Sequence, residues 1–152
     1  MKIVGNGGHA KVVRDVWAQH GPVPADSVFI AVGDNASRRK EALARPDAVF
    51  PVLIHPDAVI SPSAHIGCGT IVMAGVVVQA DAVIGDHVIL NTGCTVDHDC
   101  VIGYYAHIAP GAHLCGNVHV GDGALVGVGV GIAPNTDIAP WVLIKAHAIR
   151  TA

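Results

Sequence analysis

His98 is the one imidazole in the chain set between two carboxylates, in the stretch Leu90-Asn-Thr-Gly-Cys-Thr-Val-Asp-His-Asp-Cys-Val-Ile-Gly103. Histidine titrates near neutral pH, and as a positioned general base it raises rates by about 10² to 10⁴. A carboxylate on its second ring nitrogen fixes the tautomer and stabilises the imidazolium that forms. Asp99 and Asp97 are both candidates for that partner, and His98 is the candidate base. No Ser or Cys stands as an obvious nucleophile beside them.

Around His98 the sequence is periodic. Ile60, Ile66, Val72, Val78, Ile84, Leu90, Val96 and so on to Ile144 are aliphatic, fifteen consecutive hits at a spacing of six without an insertion. Four residues after each stands a small or β-branched residue, from Ala64 to Ala148. Three after, Gly, Asn or Asp occurs in ten of fifteen cases, and these tolerate positive φ. Each hexad therefore reads as a short strand and a sharp corner, and the whole as a parallel β-helix. Three hexads close a coil, so residues eighteen apart stack. Five coils span about 24 Å at roughly 4.8 Å per strand spacing. Ala80 and Gly116 then lie one coil either side of His98, leaving room around the ring for substrate and for a backbone N–H near a developing oxyanion.

The same register weighs against a metal centre built from the ten histidines. His107, His113 and His119 fall on three different faces, and no two histidines stand five apart, so metal: none is expected. Cys68, Cys94, Cys100 and Cys115 lack Cys-x-x-Cys spacing and read as free thiols in a reducing compartment.

Residues 1–55 have a different character. Lys2 to Val4 reads as a strand running into Gly5-Asn-Gly-Gly8, followed by a helix from Ala10 to Gln19 with Val12, Val13, Val16 and Trp17 on one face. That is the order of a nucleotide-binding β-turn-α unit, where glycines let backbone N–H groups approach an anion. Val28 to Val32 reads as a second strand, Ser37 to Ala44 as a short polar helix, and Val49 to Ile54 as a third strand. A unit this small buries too little surface to stand alone and is expected to pack on the β-helix.

The chain has 152 residues, 51% of them hydrophobic, with only 14% charged and a net charge of −3, which gives no basic face for nucleic acid. No apolar run approaches a membrane span of about 20 residues, and no signal peptide is evident, so a cytoplasmic location is expected.

The motifs Gly5-Asn-Gly-Gly-His-Ala-Lys-Val-Val13, Phe29-Ile-Ala-Val-Gly-Asp-Asn35, Ile54-His-Pro-x-Ala58, Leu90-Asn-Thr92, Asp97-His-Asp-Cys100, His107 and Cys115-Gly-Asn-Val118 together resemble bacterial nucleotide-sugar acetyltransferases. This is the sialic-acid O-acetyltransferase-like group of hexapeptide-repeat proteins. The resemblance implies a mainly β fold: a left-handed parallel β-helix at 56–152 behind a small N-terminal α/β, Rossmann-like domain at 1–55. Periodicity gives no handedness, and the general crossover rule favours the right hand, so the left hand rests on the resemblance alone. It further implies a homotrimer and acetyl-CoA as co-substrate. His98 is then the general base, with Asp99 raising its basicity. His107, Gly116, Val128 and Ala146 would contact the coenzyme. Gly7, Gly8, His9, Gly33, Asn35 and Asn91 would bind a nucleotide-linked 4-amino-sugar. Between Gly21 and Phe29 only a Pro-rich segment stands where the family carries a further strand. An O-acetyltransferase acting on a sugar hydroxyl and a non-catalytic trimeric scaffold are the alternatives.

Overall fold

The computed structural model describes residues 1–145 and the backbone of Ile149 and Arg150. Among these, seventeen two-residue strands follow one another, from β3 (Leu53–Ile54) to β19 (Ile149–Arg150). Each pairs in parallel with strands eighteen residues away: Val96 lies between Val78 and Leu114. They stack into three sheets. The first face runs from Leu53–Ile54 to Leu143–Ile144, the second from Val59–Ile60 to Ile149–Arg150, and the third from His65–Ile66 to Asp137–Ile138. The architecture is a mainly β, parallel solenoid of about five turns, triangular in section.

The corners explain the repeat. All thirteen positions spaced by six from Gly69 to Trp141 have φ between 54° and 69°. Ten are Gly, Asp or Asn, the residues that occupy this left-handed region at least cost. His87, Tyr105 and Trp141 take the same conformation without that advantage and share one corner column. There the His87 and Tyr105 rings stack 5.4 Å apart, and Trp141 lies over Gly123, which has no side chain to obstruct it.

Inside, the aliphatic and small positions close on each other: Ile84, Leu90, Val96, Ala82, Val88 and Cys94 are fully buried. With no large aromatic in this column, each aliphatic fills a slot that its neighbours cannot collapse into. Ile84→Ala is expected to destabilise the fold by about 2–5 kcal/mol through lost burial and the cavity left behind. Denaturant unfolding monitored by far-ultraviolet circular dichroism measures it.

The N-terminal unit differs from the sequence expectation. β1 (Lys2–Val4) and β2 (Val28–Ile30) form a two-stranded parallel sheet, with α1 (Gly8–His20) and α2 (Asn35–Leu43). The expected third strand is absent from it, so its sheet has two strands rather than three. Val49 only accepts a hydrogen bond from the Val28 amide, while Leu53–Ile54 pairs with Ile71–Val72 as the solenoid's first rung. The amides of Leu53 and His55 donate to the carbonyls of Thr70 and Val72, so the solenoid edge captures this segment. Both helices begin earlier than expected, at Gly8 and Asn35. Asp34 caps α2 by accepting from the Ser37 amide at 2.8 Å. Ala10, Val13 and Val16 make the buried face of α1, and Val12 points to solvent.

The buried face of α2 is largely polar: Asn35, Arg38 and Ala42. Asn35 donates to the carbonyls of Gly123 and Ala124, and Arg38 to those of His87 and Tyr105. The N-terminal unit thus seats on the corner between the third and first faces, with α1 against Leu53–Ile54. Among the described residues no helix is long and apolar enough to cross a membrane.

Candidate active site

His98 sits at the corner between the second and third faces, after Val96 and before Val101. Its neighbour Asp99 is the left-handed corner residue, φ 59°, and this conformation turns the carboxylate back onto the ring. His98 Nδ1 donates to Asp99 Oδ2 at 2.7 Å. A carboxylate accepts only, so the proton lies on Nδ1 and Nε2 keeps a lone pair able to take a proton. Asp97 is committed elsewhere: its Oδ1 accepts from the His98 backbone amide at 2.8 Å. The hydrogen bond to Asp99, with the charge of Asp97 second, raises the His98 pKa above its ordinary value. Both His98 and Asp99 side chains are 59% exposed, so the pair is open to substrate and its charge is screened by water.

Further along the same corner column, Asn117 Nδ2 donates to Asn135 Oδ1 at 2.8 Å, a short polar ladder. Asp99 stands out of that ladder because it binds the imidazole. Gly116, one turn above His98, lies against the ring: a Cβ there would stand 2.5 Å from His98 Cε1 and 2.6 Å from Nε2. The room expected over the imidazole is therefore filled by the imidazole itself.

A second cluster lies on the N-terminal unit. Gly7, Gly8, His9 and Gly33, with Gly5, Asn6, Ala31 and Val32, line an open pocket of about 320 Å³. Gly7 is the N-cap of α1 and offers no side chain to its first amides, of which Ala10's donates to the Gly7 carbonyl at 3.1 Å. His9 Nε2 is buried with no partner among the described residues. Burial, with the charge of Arg38 second, pushes the His9 pKa down to about 4.

His107, on the first face, belongs with this cluster more than with His98. Its Nε2 pairs with Asn91 Nδ2 at 3.0 Å, and its Nδ1 is buried without a partner among the described residues. Burial, then Arg38, then His9 bring it down to about 4. Both histidines are neutral at pH 7. Val128 is half exposed on the corner leaving the first face. Ala146 lies outside the described residues. Asn35 does not face the pocket: it is 7% exposed, with its amide committed to Gly123, Ala124 and Arg38.

Sequence reasoning misses Arg38. A charged residue in a short polar helix gives no hydrophobic period, and only the spacing of Asn35, Arg38 and Ala42 marks the buried face. His107, His113 and His119 do lie on the first, second and third faces.

The bacterial transferase hexapeptide family model matches residues 63–98. Among solved structures, the acetyltransferase domain of PglB from Neisseria gonorrhoeae is 37% identical, with 99% of this chain and 90% of that chain covered and a TM-score of 0.91. That domain is also known in complex with acetyl coenzyme A. PerB from Caulobacter crescentus, in complex with CoA and GDP-perosamine, is 36% identical over 98% of this chain and 87% of that chain, TM-score 0.94. WeeI from Acinetobacter baumannii, at 22% identity, shares the fold (97% and 94% covered, TM-score 0.78). No curated protein matches in sequence.

Proposed function

The chain belongs to the hexapeptide-repeat acetyltransferases, and on that premise we propose that it transfers acetyl from acetyl-CoA to the amino group of a nucleotide-linked 4-amino-sugar. The observation that carries the chemistry is the His98–Asp99 pair at 2.7 Å, exposed at a solenoid corner. Substrate class rests on the glycine-lined pocket around His9 and on PerB and its GDP-perosamine. In this reading the solenoid winds left-handed, residues 1–55 hold the sugar nucleotide and residues 56–152 carry the chemistry.

His98 Nε2 takes a proton from the sugar amine as its nitrogen attacks the thioester carbonyl. The C–N bond forms, the C–S bond breaks and the coenzyme leaves as its thiolate, which collects a proton to give the thiol. Asp99 holds the imidazolium that exists in between. No covalent enzyme intermediate is involved. Gly116, His107, Val128 and Ala146 are proposed along the coenzyme, and Gly7, Gly8, His9, Gly33 and Asn91 around the acceptor.

The pocket and the base are far apart within one chain. The N-terminal unit seats on the corner between the third and first faces and against Leu53–Ile54, whereas His98 occupies the corner between the second and third faces. On this reading a sugar seated at Gly7–His9 would be acetylated by the His98 of a neighbouring copy, and a homotrimer with sites between protomers is part of the proposal.

A thiol-release assay with acetyl-CoA and a panel of GDP- and UDP-linked amino and hydroxyl sugars tests the reading. Turnover is expected with 4-amino acceptors. Thiol release with hydroxyl acceptors alone, or with no nucleotide sugar, would sink it.

A further inference from the structure

Arg38 is 1% exposed and no carboxylate forms an ion pair with it among the described residues. A buried guanidinium carries a large desolvation cost, and here oxygen dipoles in direct contact, with the charge of Asp34 further off, offset it. Nε donates to His87 O at 2.8 Å. Nη1 donates to Val32 O and Gly33 O, both at 3.0 Å. Nη2 donates to Asn35 Oδ1 and Tyr105 O, both at 2.7 Å, with Ala106 O at 3.3 Å. All three nitrogens are used, and they point two ways. Val32 and Gly33 form the rim of the glycine-lined pocket. His87, Tyr105 and Ala106 are solenoid corner residues, and Ala106 immediately precedes His107.

We infer that Arg38 is a positioning residue for the acceptor: its guanidinium ties the Val32–Gly33 rim of the pocket to the solenoid corner that carries His107. The inference rests on the reading of that pocket as the sugar-nucleotide site. Simple docking of the two units does not require this arrangement, because Asn35 already joins α2 to Gly123 and Ala124, and apolar contacts of α1 join the first face. What Arg38 adds is a fixed distance between the pocket rim and the His107–Asn91 pair. Only a planar fork with five N–H groups spans those carbonyls; a lysine ammonium offers three donors from one point and reaches one side or the other.

Arg38→Lys and Arg38→Met in the full chain test this, with Ile84→Ala as a variant destabilised away from the pocket. Both Arg38 variants are expected to raise the KM for the nucleotide sugar about 10- to 100-fold, the scale of leaving buried hydrogen-bond acceptors of the pocket rim unpaired. The coenzyme KM and kcat at saturating acceptor stay near wild type, and Ile84→Ala leaves all three unchanged below its melting temperature. A folded Arg38→Lys protein with the wild-type acceptor KM overturns the inference, as does an equal rise in Ile84→Ala. Amide exchange across Ala31–Asp34 gives a readout independent of substrate identity. Faster exchange there in Arg38→Lys supports the tie even if no nucleotide sugar is turned over, in which case only the acceptor reading fails. Unchanged exchange overturns the tie.

Discussion

His98→Ala lowers kcat by about 10² to 10⁴, the contribution of a positioned general base, while the KM values for coenzyme and acceptor stay close to wild type. The reason is geometric. The ring is exposed, so its removal opens no cavity in the solenoid, and the only side-chain bond lost is the one to Asp99. The pH profile identifies the base. His98 acts when neutral, so kcat rises with pH through its pKa, and Asp99 and Asp97 hold that pKa above the ordinary 6.5. Asp99→Asn removes the larger influence, so the acidic limb of the profile moves to lower pH and the plateau falls, because the neutral amide no longer stabilises the imidazolium. Asp97→Asn moves the limb the same way but less, since Asp97 acts on the ring only through its charge. Steady-state rates from pH 5 to 9 decide between these outcomes. A His98→Ala enzyme with wild-type kcat, or an Asp99→Asn limb that moves upward, removes His98 from the mechanism.

Periodicity makes the solenoid legible because a corner every six residues imposes two demands at once, an inward aliphatic and a left-handed residue. Both leave marks in the sequence. His87, Tyr105 and Trp141 carry no such mark, yet they adopt the same φ because the stacked corners above and below dictate it. The expected third N-terminal strand fails for a related reason. Leu53–Ile54 has the composition of any buried strand, and pattern alone does not say which sheet edge will bind it; the solenoid offers the longer one. The candidate base is legible from residue type; its partner needs the backbone. The repeat register puts Asp99 on a corner position and the resemblance favours it over Asp97, but only the backbone turn at Asp99 shows one carboxylate aimed at Nδ1 while Asp97 is used by the His98 amide.

Nor does the sequence reveal how far the pocket lies from the base. Motifs adjacent in a sequence pattern carry no information about which corner of a triangle they occupy. The first face gathers His107, Asn91 and, through Arg38, the Val32–Gly33 rim, while the imidazole proposed to do the chemistry projects from the opposite edge. Neutrality of His9 and His107 follows from that enclosure, and the raised basicity of His98 from its exposure beside two carboxylates. One chain thus keeps two kinds of histidine by placing them on different sides of the same solenoid, uncharged hydrogen-bonding groups where the acceptor is proposed to bind and a titrating base where acyl transfer is proposed.

Gly116→Val is expected to lower kcat by about 10², nearly as much as losing the base, with little change in stability. Gly116 lies outside the left-handed region, so the substitution brings no backbone penalty and acts through space alone. Its Cβ would meet His98 Cε1 at 2.5 Å and Nε2 at 2.6 Å, separations no carbon tolerates. One of the two must move. The corner backbone at Gly116 is held by the turns stacked on it, with the Asn117 amide donating to His98 O and the Gly116 carbonyl accepting from the Asn135 amide. The imidazole is exposed and held by one side-chain bond, so it swings outward and gives up the 2.7 Å contact with Asp99. Gly131→Ala is the matched control: its Cβ meets nothing within 4 Å, and it should be silent. In the double variant His98→Ala/Gly116→Val the glycine substitution should cost no further activity, since the ring it displaces is gone; additive losses would show that Gly116 acts on the coenzyme instead. A Gly116→Val enzyme with the wild-type kcat and an unshifted pH limb would mean the imidazole does not depend on the space this glycine leaves.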